Sequence, residues 1–181
     1  TSDLGCISTL ADTLNIYPMP TAAFNVNPGC VGTTLSFADQ STVGFGNIIV
    51  WNWNLGDGTT STQQHPQHVY ATPGNYNVTL QVETPGGCSG SISSIVQVYP
   101  QPVLSFTSSP TIICQGGSII LNNTSTSANG AINAWQWSFG NGQTSTQMSP
   151  SMTYTTAGNY VITLIGTTSL GCSDTLTQNV I

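Results

Sequence analysis

The sequence predicts an all-β fold made of tandem antiparallel β-sandwiches with about seven strands each. Three observations support this prediction. Apolar and polar residues alternate along short runs, turn-forming dipeptides separate these runs, and one long pattern occurs twice, 84 positions apart. These features are typical of sandwiches of short strands, and no segment has the 3.6-residue period of a helix longer than one turn.

The strands are predicted from a period of two. In the run YNVTLQV, Tyr76, Val78, Leu80 and Val82 share one face of an extended chain, and the intervening polar residues share the other. The run WNWNL alternates in the same way. We therefore expect strands with one buried face and one solvated face.

Hairpin turns are predicted at Asp57-Gly58 and at Asn141-Gly142. Both dipeptides adopt positive φ angles at little energetic cost, which tight hairpin turns require. The exchange of Asp for Asn between the two copies therefore leaves the predicted turn unchanged.

Two copies of one motif indicate two domains. WNWNLGDG at 51–58 matches WQWSFGNG at 135–142, and the match continues through the following strands. We expect the aromatic residues of this motif to form the core, and its acidic and glycine residues to form the turns. These motif residues are Trp51, Trp53, Asp57, Gly58, Tyr70, Tyr76, Trp135, Trp137, Tyr154 and Tyr160.

A third, partial copy opens the chain, because the segment at 5–20 matches the segment at 87–102. We predict that residues 1–19 hold the last strand of a preceding repeat and a Pro-x-Pro joint, that 20–101 form domain 1 and that 102–181 form domain 2. A Pro-x-Pro joint fixes φ at two positions, so the array should behave as a semi-rigid rod.

The chain has no Lys and no Arg, and its six charged residues are all acidic. Without fixed positive charge it lacks the groups that bind nucleic acid or an acidic membrane surface. It also lacks the lysine of a Schiff base or of a phosphate-binding P-loop. No run approaches the roughly 18 apolar residues of a membrane span. We expect no cofactor, no nucleic-acid partner and no direct membrane insertion.

The five cysteines follow the repeat. Cys30 and Cys88 are 58 residues apart, and so are Cys114 and Cys172. Equal spacing at equivalent positions predicts the disulfides Cys30–Cys88 and Cys114–Cys172, with Cys6 pairing to a missing upstream repeat. The alternative is a set of buried free thiols. Disulfides would place the chain in an oxidising, extracellular compartment.

These motifs resemble those of the PKD domain. WNWNLGDG, HVY and GNYNVTLQV follow one another within 20–100, and 102–181 match with Asn141 and Met152 at two motif positions. The Gly-Cys-Ser ending and the Tyr-Pro-x-Pro joint resemble tandem repeats of large cell-surface proteins of Bacteroidota, including gliding-motility adhesins and other type IX-secreted proteins. The resemblance implies an Ig-like sandwich with a structural or adhesive role at the bacterial cell surface, and no catalytic residues.

Four residues of the first repeat are candidates for metal binding or acid–base chemistry: His65, His68, Asp39 and Asp57. Side chains three residues apart on a strand point to opposite faces, so the two histidines should not act together. Calcium needs six to eight oxygen ligands, and acidic residues are too few here. We therefore predict structural roles and no metal site. The second repeat has Asn123, Asn141, Ser149 and Met152 at the equivalent positions.

The paired tryptophans are candidates for binding carbohydrate, because exposed aromatic faces stack on sugar rings. The alternation instead places all four on the same face as Leu55 and Phe139. An Ig-like sandwich normally buries a tryptophan at this strand, so a core role is favoured, with one of each pair near the rim.

Two surface features remain. Thr13 and Thr175 each follow Asp and precede Leu, which resembles an O-glycosylation signal of Bacteroidota. Val161 and Ile165 are apolar where the first repeat has polar residues, which predicts a packing surface for another domain, chain or filament neighbour. The alternative is that loops of the same domain cover this strip.

Three functions are compatible with these features. The first is a disulfide-stapled stalk or filament segment of an extracellular adhesin or surface fibre, with neighbouring repeats as its partners. The second is an accessory carbohydrate- or protein-binding module of a secreted hydrolase. The third is a filament subunit whose residues 1–17 complete a neighbouring subunit by strand exchange. An enzyme is not expected.

Overall fold

A computed structural model describes residues 16–180 of the chain, with the backbone alone at residue 180. Cys6 and Thr13 lie outside the described residues, as does nearly all of the strand predicted within 1–17. The regular elements of the described residues are β-strands, which confirms the predicted all-β class of tandem Ig-like sandwiches. No helix in this part of the chain is long and apolar enough to cross a membrane.

The first unit contains nine strands. They are β1 (Phe24–Asn25), β2 (Gly29–Cys30), β3 (Thr34–Ser36), β4 (Ala38–Asp39), β5 (Val50–Asn54), β6 (Thr60–Ser61), β7 (Gln67–Val69), β8 (Gly74–Glu83) and β9 (Ser89–Tyr99). One sheet has the order β2-β9-β8-β5-β6, in which β2 runs parallel to β9 and the other pairs are antiparallel. The opposite layer consists of the short pairs β1-β4 and β3-β7.

The second unit contains seven strands. They are β10 (Phe106–Ser109), β11 (Ser118–Asn123), β12 (Ile132–Ser138), β13 (Thr144–Ser145), β14 (Ser151–Thr153), β15 (Tyr160–Thr168) and β16 (Ser173–Val180). Its two sheets have the orders β13-β12-β15-β16 and β10-β11-β14. β11 is continuous, whereas its counterpart in the first unit is interrupted at Phe37 between β3 and β4.

The pattern along β8 shows why these sequences form strands. Val78, Leu80 and Val82 are fully buried, while Asn77 and Gln81 are exposed. Burying each aliphatic side chain stabilises the fold by about 1.5–3 kcal/mol relative to leaving it in water. The backbone groups of β8 pair with β9 along its whole length. The period of two therefore satisfies burial and hydrogen bonding together.

Each unit has its own core, and a tryptophan lies at the centre of each. Trp53 and Trp137 are 2% and 1% exposed. Phe24 packs edge-on against Trp53 at 5.2 Å between ring centroids, and Phe106 packs against Trp137 in the same way at 5.1 Å. The two copies of the motif thus build the same core twice.

The turn that follows each tryptophan strand requires glycine. Gly56 and Gly140 have φ angles of +85° and +75°. A Cβ atom at these positions would lie 2.9 Å from the carbonyl oxygen of Asn77 and 2.8 Å from that of Val161. Any other residue would be strained by its backbone conformation and would clash with the neighbouring strand.

The disulfide pairing differs from the prediction. The described residues form one disulfide, between Cys30 and Cys172, and Cys88 and Cys114 are free thiols. The predicted pairs Cys30–Cys88 and Cys114–Cys172 are not formed. Cys88 precedes β9, whereas Cys30 pairs with Tyr99 at the far end of that strand, so about 36 Å separate the two cysteines. A disulfide needs Cα atoms within about 7 Å of each other.

Candidate functional site at the joint between the units

The joint lies where the last strand of the first unit passes into the second unit. β9 ends at Tyr99, a Pro-Gln-Pro segment follows, and Val103 then forms a bridge with Thr126. The disulfide between Cys30 and Cys172 crosses this joint, with 5.6 Å between the two Cα atoms. The two units are therefore connected twice, once by the backbone and once through sulfur.

Cys30 is held in place by the end of β9 and by a tight turn. It pairs with Tyr99 in parallel register, and the Tyr99 carbonyl accepts a hydrogen bond from the Val31 N–H at 2.8 Å. The Thr33 hydroxyl donates to the Cys30 carbonyl at 2.7 Å and accepts from the Cys30 N–H at 3.2 Å. These bonds fix the backbone from which the sulfur projects.

Cys172 lies in the turn between β15 and β16. The Thr168 N–H donates to the Cys172 carbonyl at 2.8 Å, and the Thr168 hydroxyl accepts from the Cys172 N–H at 3.2 Å. Gly171 permits the turn because its φ angle is +83°. The second cysteine is thus presented on a rigid hairpin end rather than on a mobile loop.

The bond is shielded from solvent on both sides, because Cys30 is 8% and Cys172 is 1% exposed. A reductant can therefore reach the sulfur atoms only after the joint opens. The two cysteines are 142 residues apart in sequence, and closing a loop of that length stabilises the folded chain by about 5 kcal/mol in the chain-entropy model. This arrangement can hold the two units in one orientation.

Asp39 organises a polar cluster in the first unit. Its carboxylate accepts hydrogen bonds from the Trp51 indole at 2.7 Å, the Gln64 amide at 3.1 Å and the Ser41 N–H at 2.9 Å. Its own N–H donates to His65 Nδ1 at 3.1 Å. Burial raises the pKa of Asp39, but the hydrogen bonds from Ser41, Gln64 and Trp51 outweigh this effect and hold the pKa below its usual value.

Asn123 occupies the equivalent position in the second unit. Its Oδ1 accepts from the Ser125 N–H at 3.0 Å, and its Nδ2 donates to the Met148 carbonyl at 3.1 Å. Its N–H donates to the Ser149 hydroxyl at 3.2 Å. Ser149 therefore replaces His65, so the position requires an acceptor for a backbone N–H rather than an imidazole.

The second histidine forms a separate local pair. His68 Nε2 lies 2.6 Å from a carboxylate oxygen of Asp57, and its ring packs edge-on against Tyr70 at 4.5 Å. Burial raises the pKa of Asp57, but hydrogen bonds from His68 and Thr59 outweigh it and lower the pKa below its usual value. Met152 occupies the equivalent position of His68 and is buried.

The four candidates for metal or acid–base chemistry therefore form two pairs rather than one site. Asp39 is bonded through its backbone to His65, and Asp57 is bonded to His68. Across residues 16–180, no group of three or more His, Cys, Asp or Glu side chains is placed to hold a metal ion.

The structure places one tryptophan of each pair in the core and the other at its edge. Trp53 and Trp137 are buried, and each donates its indole N–H to a backbone carbonyl at 2.9 Å. Trp51 and Trp135 are half-buried and pack against the cores. The buried pair has no face available for stacking on a sugar ring.

The tyrosines of the motif tie the tryptophan strand to the opposite layer. The hydroxyls of Tyr70 and Tyr154 donate to the carbonyls of Leu55 at 2.7 Å and Phe139 at 3.0 Å. Burial, assisted by the charge of Asp57, raises the pKa of Tyr70 to about 12, and burial also raises the pKa of Tyr154. Their ring partners are Tyr76 and Tyr160.

The predicted surface features lie at separate places. Thr175 is exposed on β16, while Thr13 lies outside the described residues. Val161 is 50% exposed and Ile165 is half-buried, both on the outer face of β15. Ile112, which is 80% exposed, lies instead in the loop between β10 and β11.

Sequence reasoning missed the joint as a site, together with Thr33 and Thr168, which fix its two cysteines. A signal existed, because both repeats place a threonine four residues before their second cysteine, at Thr84 and Thr168. The observed separation of 142 residues equals the spacing of 58 increased by one repeat of 84. The same periodic pattern was therefore compatible with pairing inside a unit or between units.

Comparison with known proteins identifies relatives of part of this chain. A stretch of 66 residues is 46% identical to the pre-pro-metalloprotease PrtV of Vibrio cholerae and covers 36% of this chain and 7% of that protein. A stretch of 81 residues is 36% identical to the microbial collagenase of Vibrio alginolyticus and covers 44% of this chain and 10% of that protein. The chain thus spans 10% or less of the length of these relatives.

Two solved structures are similar to part of the chain. The PKD1 domain of Vibrio cholerae PrtV is 42% identical with a TM-score of 0.39, over 44% of this chain and 93% of that one. The PKD1 domain of Vibrio anguillarum Epp is 35% identical with a TM-score of 0.39, over 44% of this chain and 89% of that one. The family model of the PKD domain matches residues 15–99 and 99–181. Because these two matches span nearly all of the sequence, the chain belongs to the PKD domain family.

Proposed function

We propose that the chain is a non-catalytic, extracellular spacer: a segment of a stalk or filament that holds other parts of a bacterial surface protein at a distance. PKD domains are accessory modules without catalytic residues of their own. A buried disulfide persists in oxidising compartments, which supports an extracellular location.

The observation that carries the proposal is the disulfide from Cys30 to Cys172 across the joint. A flexible tether between binding domains would need no such bond, whereas a spacer must resist bending and extension. The bond also shields the intervening chain from tension, because a force applied at the two ends passes through sulfur rather than through the residues between the two cysteines.

Single-molecule force measurements test this mechanism. The oxidised protein should lengthen only by the residues outside the loop, before Cys30 and after Cys172. Reduction of the disulfide should add about 500 Å of extensible chain. If the disulfides were instead Cys30–Cys88 and Cys114–Cys172, reduction would lengthen the chain in two steps, each less than half of that length. This result would contradict the proposed spacer mechanism. Cys114→Ala provides a control that leaves the joint disulfide intact.

A second function has a specific observation in its favour. The relatives include a metalloprotease and collagenases, so the chain could serve as an accessory module that binds the substrate of a secreted hydrolase. Retention of the purified chain on insoluble collagen, chitin or cellulose tests this alternative. Specific retention would favour the accessory module, and free passage through all three materials would favour the spacer.

The proposal also includes the class of protein to which the chain belongs. The Gly-Cys turns and Tyr-Pro-x-Pro joints support a tandem array of the kind found in adhesins of Bacteroidota, with gliding motility and type IX secretion as its setting. The flanking gene sequence tests this assignment: further Gly-Cys repeats and a secretion-sorting domain would support it, and a hydrolase domain would overturn it. The strand-exchange alternative depends on residues 1–15, which the structure does not describe.

A further inference from the structure

Cys114 lies on the same backbone frame as the bonded Cys30. The Gly116 N–H donates to the Tyr154 carbonyl at 2.7 Å, and the Gly117 N–H donates to the Cys114 carbonyl at 2.8 Å. The corresponding bonds around Cys30 measure 3.0 and 3.1 Å. The second unit therefore presents a free thiol where the first unit presents its half of the joint disulfide.

An apolar cavity of about 370 Å³ adjoins this thiol. Ile112–Gln115 and Thr156–Tyr160 line it, and we call these residues the acceptor surface. Ile112 is 80% exposed although it is a large aliphatic residue, so a partner that buried it would remove apolar surface from water. The acceptor surface thus combines a cavity with an exposed apolar side chain, as surfaces that bind another protein do.

The equivalent surface of the first unit already carries a PKD unit. Pro73, Gly74 and Asn75, which correspond to residues 157–159, line a cavity together with Asn129 of the second unit. The joint is therefore an established interface of the same type, and its disulfide shows which part of a PKD unit meets the cysteine of this surface: the turn that bears Cys172.

That turn also occurs with a free cysteine. The segment 84–89 has the same hydrogen bond as 168–173, since the Thr84 N–H donates to the Cys88 carbonyl at 3.0 Å. The Cys88 thiol lies 3.7 Å from the carbonyl oxygen of Tyr17, which corresponds to Tyr99 in the repeat. Cys88 therefore faces the end of a preceding joint segment, as Cys172 does at the observed joint.

We infer that the acceptor surface binds the cysteine turn of a further PKD unit and that Cys114 forms a disulfide with the cysteine of that turn. Cys88 is the matching half at the other end of the chain. Each unit is thereby bonded to the next one and not within itself. This inference rests on the proposed spacer function and names the partner of the acceptor surface.

Bond formation requires a small disulfide such as glutathione disulfide as oxidant. The Cys114 thiolate attacks one sulfur of the oxidant, which forms a mixed disulfide and releases one small thiolate. The incoming cysteine thiolate then attacks the Cys114 sulfur and releases the second small thiolate. Two protein thiols are oxidised to one disulfide, the oxidant is reduced to two thiols, and the two protons pass to these products.

Two variants of the full chain test the inference, both carrying Cys6→Ser. One also carries Cys88→Ser and retains Cys114, and the other also carries Cys114→Ser and retains Cys88. The two are mixed near 1 mM, the effective concentration that a short joint provides, with glutathione disulfide. Non-reducing gels and peptide mass mapping should show a Cys114–Cys88 dimer at least tenfold more abundant than either like-with-like dimer.

A surface variant separates docking from random oxidation. Ile112→Ser should slow formation of the Cys114–Cys88 dimer severalfold, whereas Ile120→Ser, which alters a 59% exposed residue outside the acceptor surface, should not. Equal amounts of all three dimers, or equal rates for the two Ile variants, would overturn the inference. The force measurement tests the spacer function independently, because it reports only the loop closed by Cys30 and Cys172. The inference can therefore be wrong while the spacer function holds.

Discussion

The clusters around Asp39 and Asn123 lie at equivalent positions of the two units and hold the same backbone with different chemistry. Asp39 collects donors from side chains, including the Gln64 amide. Asn123 instead donates to the backbone carbonyl of Met148, which is the residue equivalent to Gln64. The fold therefore requires a satisfied hydrogen-bonding network at this position, and either a charged carboxylate or a neutral amide provides it.

The same lesson applies to the other differences between the units. The pair His68–Asp57 becomes Met152–Asn141, and His65 becomes Ser149, yet the tryptophan cores and the tyrosine hydrogen bonds are retained. Residues that vary between the copies are those whose role can be filled by another group.

Cys172→Ala should have the largest effect, because it opens the 142-residue loop and exposes the joint. The free energy of unfolding should fall by about 5 kcal/mol in the chain-entropy model, and the two units should tumble independently. Chemical denaturation and NMR relaxation measure these changes. Cys88→Ala is the matched control in the first unit, and an equal loss there would show that the joint disulfide is not the cause.

Trp53→Ala and Trp137→Ala should each destabilise the unit that contains the substitution by about 3–5 kcal/mol, since each leaves a large cavity in its core. Denaturation followed by one-dimensional NMR distinguishes the two units. Trp51→Ala should cost less than Trp53→Ala because Trp51 is only half-buried. A larger loss of unfolding free energy for Trp51→Ala than for Trp53→Ala would contradict the assignment of Trp53 to the centre of the core.

Exchange of Asp39 and Asn123 should abolish the acid-dependent loss of stability in the first unit and introduce a loss at rising pH in the second. The folded state lowers the pKa of Asp39, so this residue stabilises the first unit above its unfolded pKa of about 3.9, and that contribution is lost as the pH falls through the lower folded value. Asp39→Asn should remove this acid-dependent loss and cost about 1–3 kcal/mol at neutral pH through the weakened hydrogen bonds.

Asn123→Asp is the reciprocal exchange. An ionised carboxylate would face the Met148 carbonyl that now accepts a hydrogen bond, so its folded pKa should be raised. Stability of the second unit should therefore be retained below the unfolded pKa and lost as the pH rises through the folded value. Thermal unfolding from pH 3 to 7 measures both variants, and parallel pH profiles would contradict the comparison.

His68→Met should have the smallest effect, because it places the second unit's residue in the first unit. The His68 and Asp57 side chains are 15% and 23% exposed, and ion pairs that solvent can reach contribute about 0–1 kcal/mol. Denaturation at pH 7 should show a change within that range. A loss as large as that of Trp53→Ala would indicate a role beyond local packing.

Local sequence determined the architecture of each unit. The alternation in β8, the glycines at the turns and the Trp-x-Trp strands are properties of neighbouring residues, and burial and hydrogen bonding act on them in the same way in both copies. The alternation therefore predicted that one tryptophan of each pair lies in the core, but only the structure showed that these are Trp53 and Trp137. The exchange of His68 for Met152 likewise indicated that the histidine is not required.

The sequence by itself did not determine which cysteines meet. A pattern that repeats every 84 residues is unchanged by a shift of one repeat, so the spacing of 58 cannot distinguish a bond within a unit from one between units. The tertiary structure decided this, because a long strand places Cys30 and Cys88 at opposite ends of one sandwich. The joint then brings Cys30 to the turn of the next unit, within the short distance that a disulfide can span.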